Sequence, residues 1–198
     1  PYYTGTEYSV DLICKDDKVY CTGIFEYVKD KKLGQFINST KKLVNNSSLQ
    51  TKIFDFTKSK IIDLKYGTGA YHIEVIVDGN NINLVEINSR FHGHITNEWY
   101  ELGTGLSHYN AYIDVIIENK TIPEMYEFKK DILKFLINLP HKITSENIEK
   151  NIPRDLSSIV RAIQHPSPYS NNVFGPTTDM LTCYSCFLLA DQGSLESD

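Results

Sequence analysis

The chain has 198 residues, a net charge of −5 and a pI near 5.7. That length suits roughly one domain or one and a half, and the acidic balance argues against a surface for nucleic acid or anionic membrane. Hydrophobic residues at 41% and aromatic ones at 12% allow a buried core, and no apolar run nears the ~20 residues of a membrane helix. The four cysteines, Cys14, Cys21, Cys183 and Cys186, are too few for a disulfide scaffold, so a reducing cytoplasm is the expected compartment.

Taken in order, Tyr8–Leu12 and Lys18–Gly23 read as an antiparallel hairpin turned at Asp16-Asp17, with Ile24–Tyr27 extended. Lys29–Lys42 is polar and Lys-rich and reads as a loop. Ser47–Tyr66 carries Leu49, Ile53 and Phe56 at helical spacing and reads as a helix ended by Gly67 and Gly69. Tyr71–Gly93 follows as two strands with a turn at Asp78-Gly79. Asn97–Leu102 reads as a short helix, and Leu106–Ile117 as a second with Leu106, Tyr109, Ile113, Ile116 and Ile117 inward. A subdomain boundary is expected near residue 121. Beyond it, Asp131–Leu139 fits strand or helix, Ser145–Asn151 and Arg154–Gln164 look helical, and Cys183–Ala190 looks like a strand.

The chemistry gathers on the central hairpin. Alternate residues of a strand share a face, and Glu74, Glu86, Asn88 and Arg90 all fall on even positions. If Glu74 lies opposite Glu86, two carboxylates face each other, an arrangement that calls for a cation or a proton between them. An oxygen set of Glu, Glu and Asn suits a hard cation such as Mg²⁺, and a nearby guanidinium suits phosphate. A solvated polar face is the competing reading. Cys183 and Cys186 with Cys14 and Cys21 form a weaker zinc candidate, because the first pair lacks knuckle spacing. His92 and His94 form an H-x-H pair of the kind that binds metal, although most such histidines are simply satisfied.

The hairpin run G-x-x-H-I-E-V followed by V-E-I-N-S-R-F-x-G resembles the metal-binding hairpin of the ATP-grasp superfamily. So do the opening Y-x-G-T-E-Y-S-V-D-L, the segment N-E-W-Y-E-L-G-T-G-L-S-H-Y-N-A, and Gly175-Pro-Thr-Thr-Asp179, the last resembling the amino-acid and dipeptide ligase branch. The resemblance implies an α+β fold: an antiparallel sheet with packed helices over residues 1–120, and a small C-terminal α/β lobe over 121–198. It implies Glu74, Glu86 and Asn88 as ligands of Mg²⁺, two ions in all, and Arg90 at the transferring phosphoryl group. Glu7 would meet the ribose, Tyr3 the adenine, and Lys29 the γ-phosphate or substrate. The implied reaction uses Mg-ATP to activate a carboxylate as acyl-phosphate, which an amine then captures as an amide. One departure is His94, where the family often carries a second Gly after Gly93. The family's N-terminal lobe has no counterpart in these residues, so the chain is expected to be the C-terminal portion of a longer ligase, inactive alone and compatible with a homodimer. A non-catalytic module of the same shape, or a carboxylation reaction with a non-amine acceptor, are the alternatives.

Overall fold

A computed structural model describes residues 2–29, 38–44, 47–93, 96–127, 129–130, 132–138, 159–165 and 185–191. Contacts divide the chain into two compact units, residues 1–27 with 42–130 and residues 28–41 with 131–198. Residues 121–130 belong to the first unit, tied there by hydrogen bonds of Cys21 N to Glu124 O (2.7 Å) and Tyr126 N to Cys21 O (3.2 Å).

The first unit is built on strands β1 (Thr6–Lys15), β2 (Lys18–Lys29), β4 (Gly69–Asp78) and β5 (Asn81–Asn88), hydrogen-bonded in the order β5-β4-β1-β2 and all antiparallel. The β1–β2 turn places Asp16 and Asp17 at φ 49° and 62°. Two successive positive φ values make the tight turn that matches strand twist, and Asp tolerates them better than most residues. The β4–β5 turn has Gly79 at φ 60° between the paired Asp78 and Asn81, where glycine avoids the Cβ penalty.

One face of this sheet is apolar. Val10, Leu12, Cys14, Ile73 and Val75 pack there against Ile53, Phe54 and Ile61 of helix α1 (Ser47–Asp63). The helix stops earlier than its glycines suggest. Lys65, at φ 55°, takes the left-handed position, Tyr66 N bonds Ile61 O (3.1 Å) and Lys65 N bonds Ile62 O (3.0 Å). That pair of bonds caps the last carbonyls without help from Gly67.

The opposite face carries polar side chains and is partly covered by helices α2 (Thr96–Thr104) and α3 (His108–Tyr112). Trp99 and Tyr100 are fully buried, with the Phe25 ring 4.1 Å from Trp99 and 5.1 Å from Tyr100. A π-helical turn (Ile113–Ile117) follows α3, closed by Glu118 N to Ile113 O at 3.0 Å. The wider turn rotates the face that a regular helix would present. Ala111 and Val115 point inward with Ile13 and Tyr20, and Leu106 and Ile116 pack against them as expected, whereas Tyr109, Ile113 and Ile117, expected inside, are exposed. Lys15 Nζ donates to the carbonyls of Val115 (3.0 Å) and Ile116 (3.1 Å) at the end of this turn, a favourable place for a cation.

In the second unit, strands β3 (Asn38–Leu43), β6 (Ile132–Asn138), β7 (Ile159–His165) and β8 (Ser185–Asp191) are hydrogen-bonded in the order β3-β6-β8-β7. Two expectations are corrected here. Residues 38–42, read as loop, lie in a strand because Thr40 and Lys41 pair with Phe135 and Lys134. Residues 159–164, read as helix, lie in a strand because β7 pairs along its length with β8; the β-branched Ile159, Val160 and Ile163 suit a ladder. Ser145–Asn151, His94, Cys183 and Gly175–Asp179 lie outside the described residues.

Candidate functional site

The polar face of the first sheet brings together residues that are far apart in sequence. Glu74 and Glu86 lie directly opposite each other, and His72 lies opposite Asn88. A bulge makes this possible. Between the pairs Glu74–Glu86 and Val75–Leu84, Val85 is an extra residue, and an inserted residue reverses the alternation beyond it. Ile82 and Leu84 thus join the apolar cluster with α1, while the pairing of Glu86 and Asn88 with Glu74 and His72 puts them on the other face. Asn88 Nδ2 donates to Glu86 Oε1 at 2.6 Å, so amide and carboxylate already act as a pair.

Glu74 is half-buried beside Tyr27 and His72. Tyr27 Oη donates to Glu74 Oε1 at 3.0 Å, and His72 Nε2 lies 3.5 Å from the same oxygen. Burial, then the neighbouring Glu74 charge, push the Tyr27 phenol well above its ordinary value, so it stays a donor at any working pH.

Behind Glu74 is a buried network that sequence reasoning missed. Asp11 is inaccessible to solvent. His72 Nδ1 donates to Asp11 Oδ1 (2.8 Å), His92 Nδ1 to Oδ2 (2.8 Å), and the Tyr100 hydroxyl also to Oδ2. The two imidazoles lie with centroids 4.0 Å apart. Burial alone would push the Asp11 carboxyl up, but the His92 charge, hydrogen bonds from both histidines and the His72 charge hold it well below the usual carboxylate range. Burial lowers His72, but hydrogen bonds and charge from Asp11 and Glu74 outweigh it and raise the ring to about 9. Burial also pushes the Cys21 thiol up to about 12, which makes it an inert packing group.

Donor atoms of Asp11, His72 and His92 lie within 4.8 Å of one another. Both Asp11 oxygens, however, already accept from Nδ1–H groups, so the cluster is satisfied as a hydrogen-bond network. A second set on the same face is all oxygen and amide: Glu74, Glu86 and Asn88. Paired carboxylates with an amide are hard-cation chemistry and fit Mg²⁺.

Gly23 stands under Tyr100: a Cβ there would sit 2.2 Å from Tyr100 Cε1. Gly23→Ala should therefore displace the Tyr100 ring from Asp11 and destabilise the protein by about 1–3 kcal/mol, as overpacked cores do. Urea unfolding checks this, and an unchanged midpoint would refute it.

The other expected site residues are more scattered. Glu7 pairs with Ile76, two residues from the Ser9–Glu74 pair, and so shares the face of Glu74. Tyr3 is partly exposed just before β1, and the following Gly5 lies close enough to β4 that a Cβ would meet Val77 O at 2.3 Å. Arg90 follows the end of β5. Its backbone N–H bonds Asn88 O (2.9 Å) and its exposed guanidinium donates to Phe91 O (3.0 Å). Phe91 anchors this segment edge-on to His108, Tyr109 and Tyr112 at 4.7–5.2 Å. Lys29 is the last residue of β2; its side chain lies outside the described residues. No helix among the described residues is long and apolar enough to cross a membrane.

No protein-family model and no curated protein matches the sequence. Solved structures do. The chain is similar to an L-amino acid ligase from Bacillus licheniformis at 14% identity and TM-score 0.70, covering 99% of this chain and 51% of that one. It is similar to a phosphoribosylglycinamide synthetase from Anaerococcus prevotii at 14% identity and TM-score 0.69, over 99% and 50% of the two chains. It is also similar to an N5-carboxyaminoimidazole synthase from Aspergillus clavatus, solved with ADP and 5-aminoimidazole ribonucleotide, at 20% identity and TM-score 0.65, over 100% and 49%. The chain spans about half the length of these proteins and has the fold found in ATP-grasp ligases.

Proposed function

We propose that the chain is the catalytic half of an ATP-dependent carboxylate–amine ligase. One observation carries this reading: Glu74 and Glu86 sit directly opposite each other, with Asn88 bonded to Glu86, on the polar face of a sheet whose fold is that of ATP-grasp ligases. Two facing carboxylates repel unless a cation joins them.

In this reading Glu74, Glu86 and Asn88 hold Mg²⁺, which when bound neutralises charge on the phosphate oxygens. The chain's own residues supply position and charge, which are what phosphoryl transfer needs most. Arg90 turns its guanidinium from the Phe91 carbonyl toward the transferring phosphoryl group and the acyl-phosphate. Glu7, on the same face, accepts from the ribose hydroxyls, and the backbone at Tyr3 meets adenine. Lys29 serves the γ-phosphate or the substrate. The remaining wall of the site comes from an N-terminal lobe of the same parent chain. Carboxylation is the second reading, supported by the likeness to the N5-carboxyaminoimidazole synthase.

The full-length protein, given Mg-ATP, should release phosphate at least about tenfold faster when a carboxylate and an amine are both present than with either alone, the expected mark of an acyl-phosphate held for its acceptor. Coupled phosphate assays over a panel of amino acids measure this. Release that ignores amines but responds to bicarbonate would select the second reading.

A further inference from the structure

We infer that Asp11 and His72, with Tyr27, form a positioning relay that sets the carboxylate of Glu74 for its cation. The inference rests on the proposed role of Glu74 and extends it to residues that touch neither cation nor nucleotide.

The geometry runs in one line across three strands. Asp11 in β1 is opposite His72 in β4, and its Oδ1 holds His72 Nδ1 at 2.8 Å. That bond fixes the ring and leaves Nε2 facing Glu74 Oε1 at 3.5 Å. Tyr27, from β2, grips the same oxygen at 3.0 Å. Both of these contacts fall on Oε1, on the strand position directly opposite Glu86. A carboxylate with one oxygen tied by donors has lost rotational freedom before any cation arrives, and groups that orient a ligand in this way are commonly worth 10–100-fold in metal affinity. The buried wall behind the relay keeps it rigid. His92 and Tyr100 hold Asp11 Oδ2, so Asp11 cannot swing away from His72 without breaking three bonds.

Two substitutions at one position separate positioning from packing. His72→Asn keeps a donor where Nδ1 was, toward Asp11, and removes the one facing Glu74. His72→Gln places its amide near the Nε2 position and gives up the Asp11 bond. In the full-length protein, Mn²⁺ binding followed by electron paramagnetic resonance should weaken about 10–100-fold in His72→Asn. In His72→Gln, which keeps a donor near Glu74 but loses the Asp11 bond that fixes it, the loss should be smaller, about three- to tenfold, although His72→Gln is the variant that loses more thermal stability. Tyr27→Phe should weaken Mn²⁺ by about tenfold. The relay is wrong if His72→Asn binds Mn²⁺ like the parent, or if affinity simply follows melting temperature across the variants. It is also wrong if metal analysis finds zinc held by Asp11, His72 and His92. Glu86→Gln serves as the control. If Glu86→Gln binds Mn²⁺ normally, the cation site itself is misplaced; if only the His72 variants do, the site stands and the relay falls.

Discussion

Asp11→Ala should destabilise the protein by about 3–5 kcal/mol, the range found when one partner of a buried charged pair is removed. The magnitude follows from what stays behind. Two imidazole Nδ1 atoms and the Tyr100 hydroxyl all end on this one carboxylate, and each loses its acceptor in a space closed to water. A buried donor left unmet costs about 1–3 kcal/mol by itself. Asp11→Asn should be milder, because it keeps one acceptor oxygen and the shape. The pH dependence has a definite sign. Asp11 is held below its ordinary value of 3.8 in the folded protein, so its contribution is fully present above that value. It fades as pH falls below 3.8 toward the depressed folded value, since the folded state must then take up a proton that the unfolded state already holds. The gap between parent and Asp11→Ala should thus be widest between about pH 4 and 6 and shrink below about pH 3.8; it should also narrow above about pH 6.5, as the His72 ring that Asp11 holds up to about 9 begins to lose its proton. Urea unfolding at a series of pH values measures it. Equal midpoints at neutral pH, or a gap that survives unchanged well below pH 3.8, would refute the account.

The hairpins of the first unit were legible because turn chemistry and two-residue alternation are local. Asp16-Asp17 and Asp78-Gly79 mark tight turns in any context, and the observed β1–β2 and β4–β5 pairs agree with both. The carboxylate pair was legible for the same reason. Its location depended on something less local. Strict alternation would have sent Ile82, Leu84, Glu86 and Asn88 to one face, an apolar–polar mixture that suits neither side. The bulge at Val85 resolves the conflict, and the conflict was the available signal for it. Asp11 offered a similar signal: a lone charge inside V-D-L-I-C, a strand otherwise apolar enough to be buried. What the sequence could not provide was its partners, since His72, His92 and Tyr100 are 61, 81 and 89 residues away and each alone reads as an ordinary histidine or tyrosine. The errors have the same root. Residues 159–164 have a helix-compatible period that pairing with β8 overrides. The inner face of the segment after Gly105 was read in part: Leu106 and Ile116 pack inward and Tyr109 does not, and nothing in a 3.6-residue period announces the π turn at Ile113–Ile117.

Glu86→Gln should lower kcat/KM of the full-length protein by at least about 10³-fold, or about 4 kcal/mol of transition-state stabilisation, while leaving the fold intact. Structure and chemistry separate cleanly at this position. Glu86 is exposed, and a Gln carbonyl can still accept the Asn88 amide that now lies 2.6 Å from Oε1. Replacing one of two opposed carboxylates also removes a like-charge pair, which across strands is unfavourable by a few tenths of a kcal/mol or more. The metal-free variant should therefore melt at the parent's temperature or slightly above it. Magnesium should raise the melting temperature of the parent and not of the variant, because a ligand stabilises only in proportion to its binding. The three readouts must move in different directions: turnover down, metal-free stability level or up, and the Mg²⁺-induced shift lost. A variant that merely unfolds would lower all three together, and one that keeps its turnover would remove Glu86 from the site. The pattern of loss in function against gain in stability is what distinguishes a carboxylate pair kept for a cation from a polar face that is only solvated.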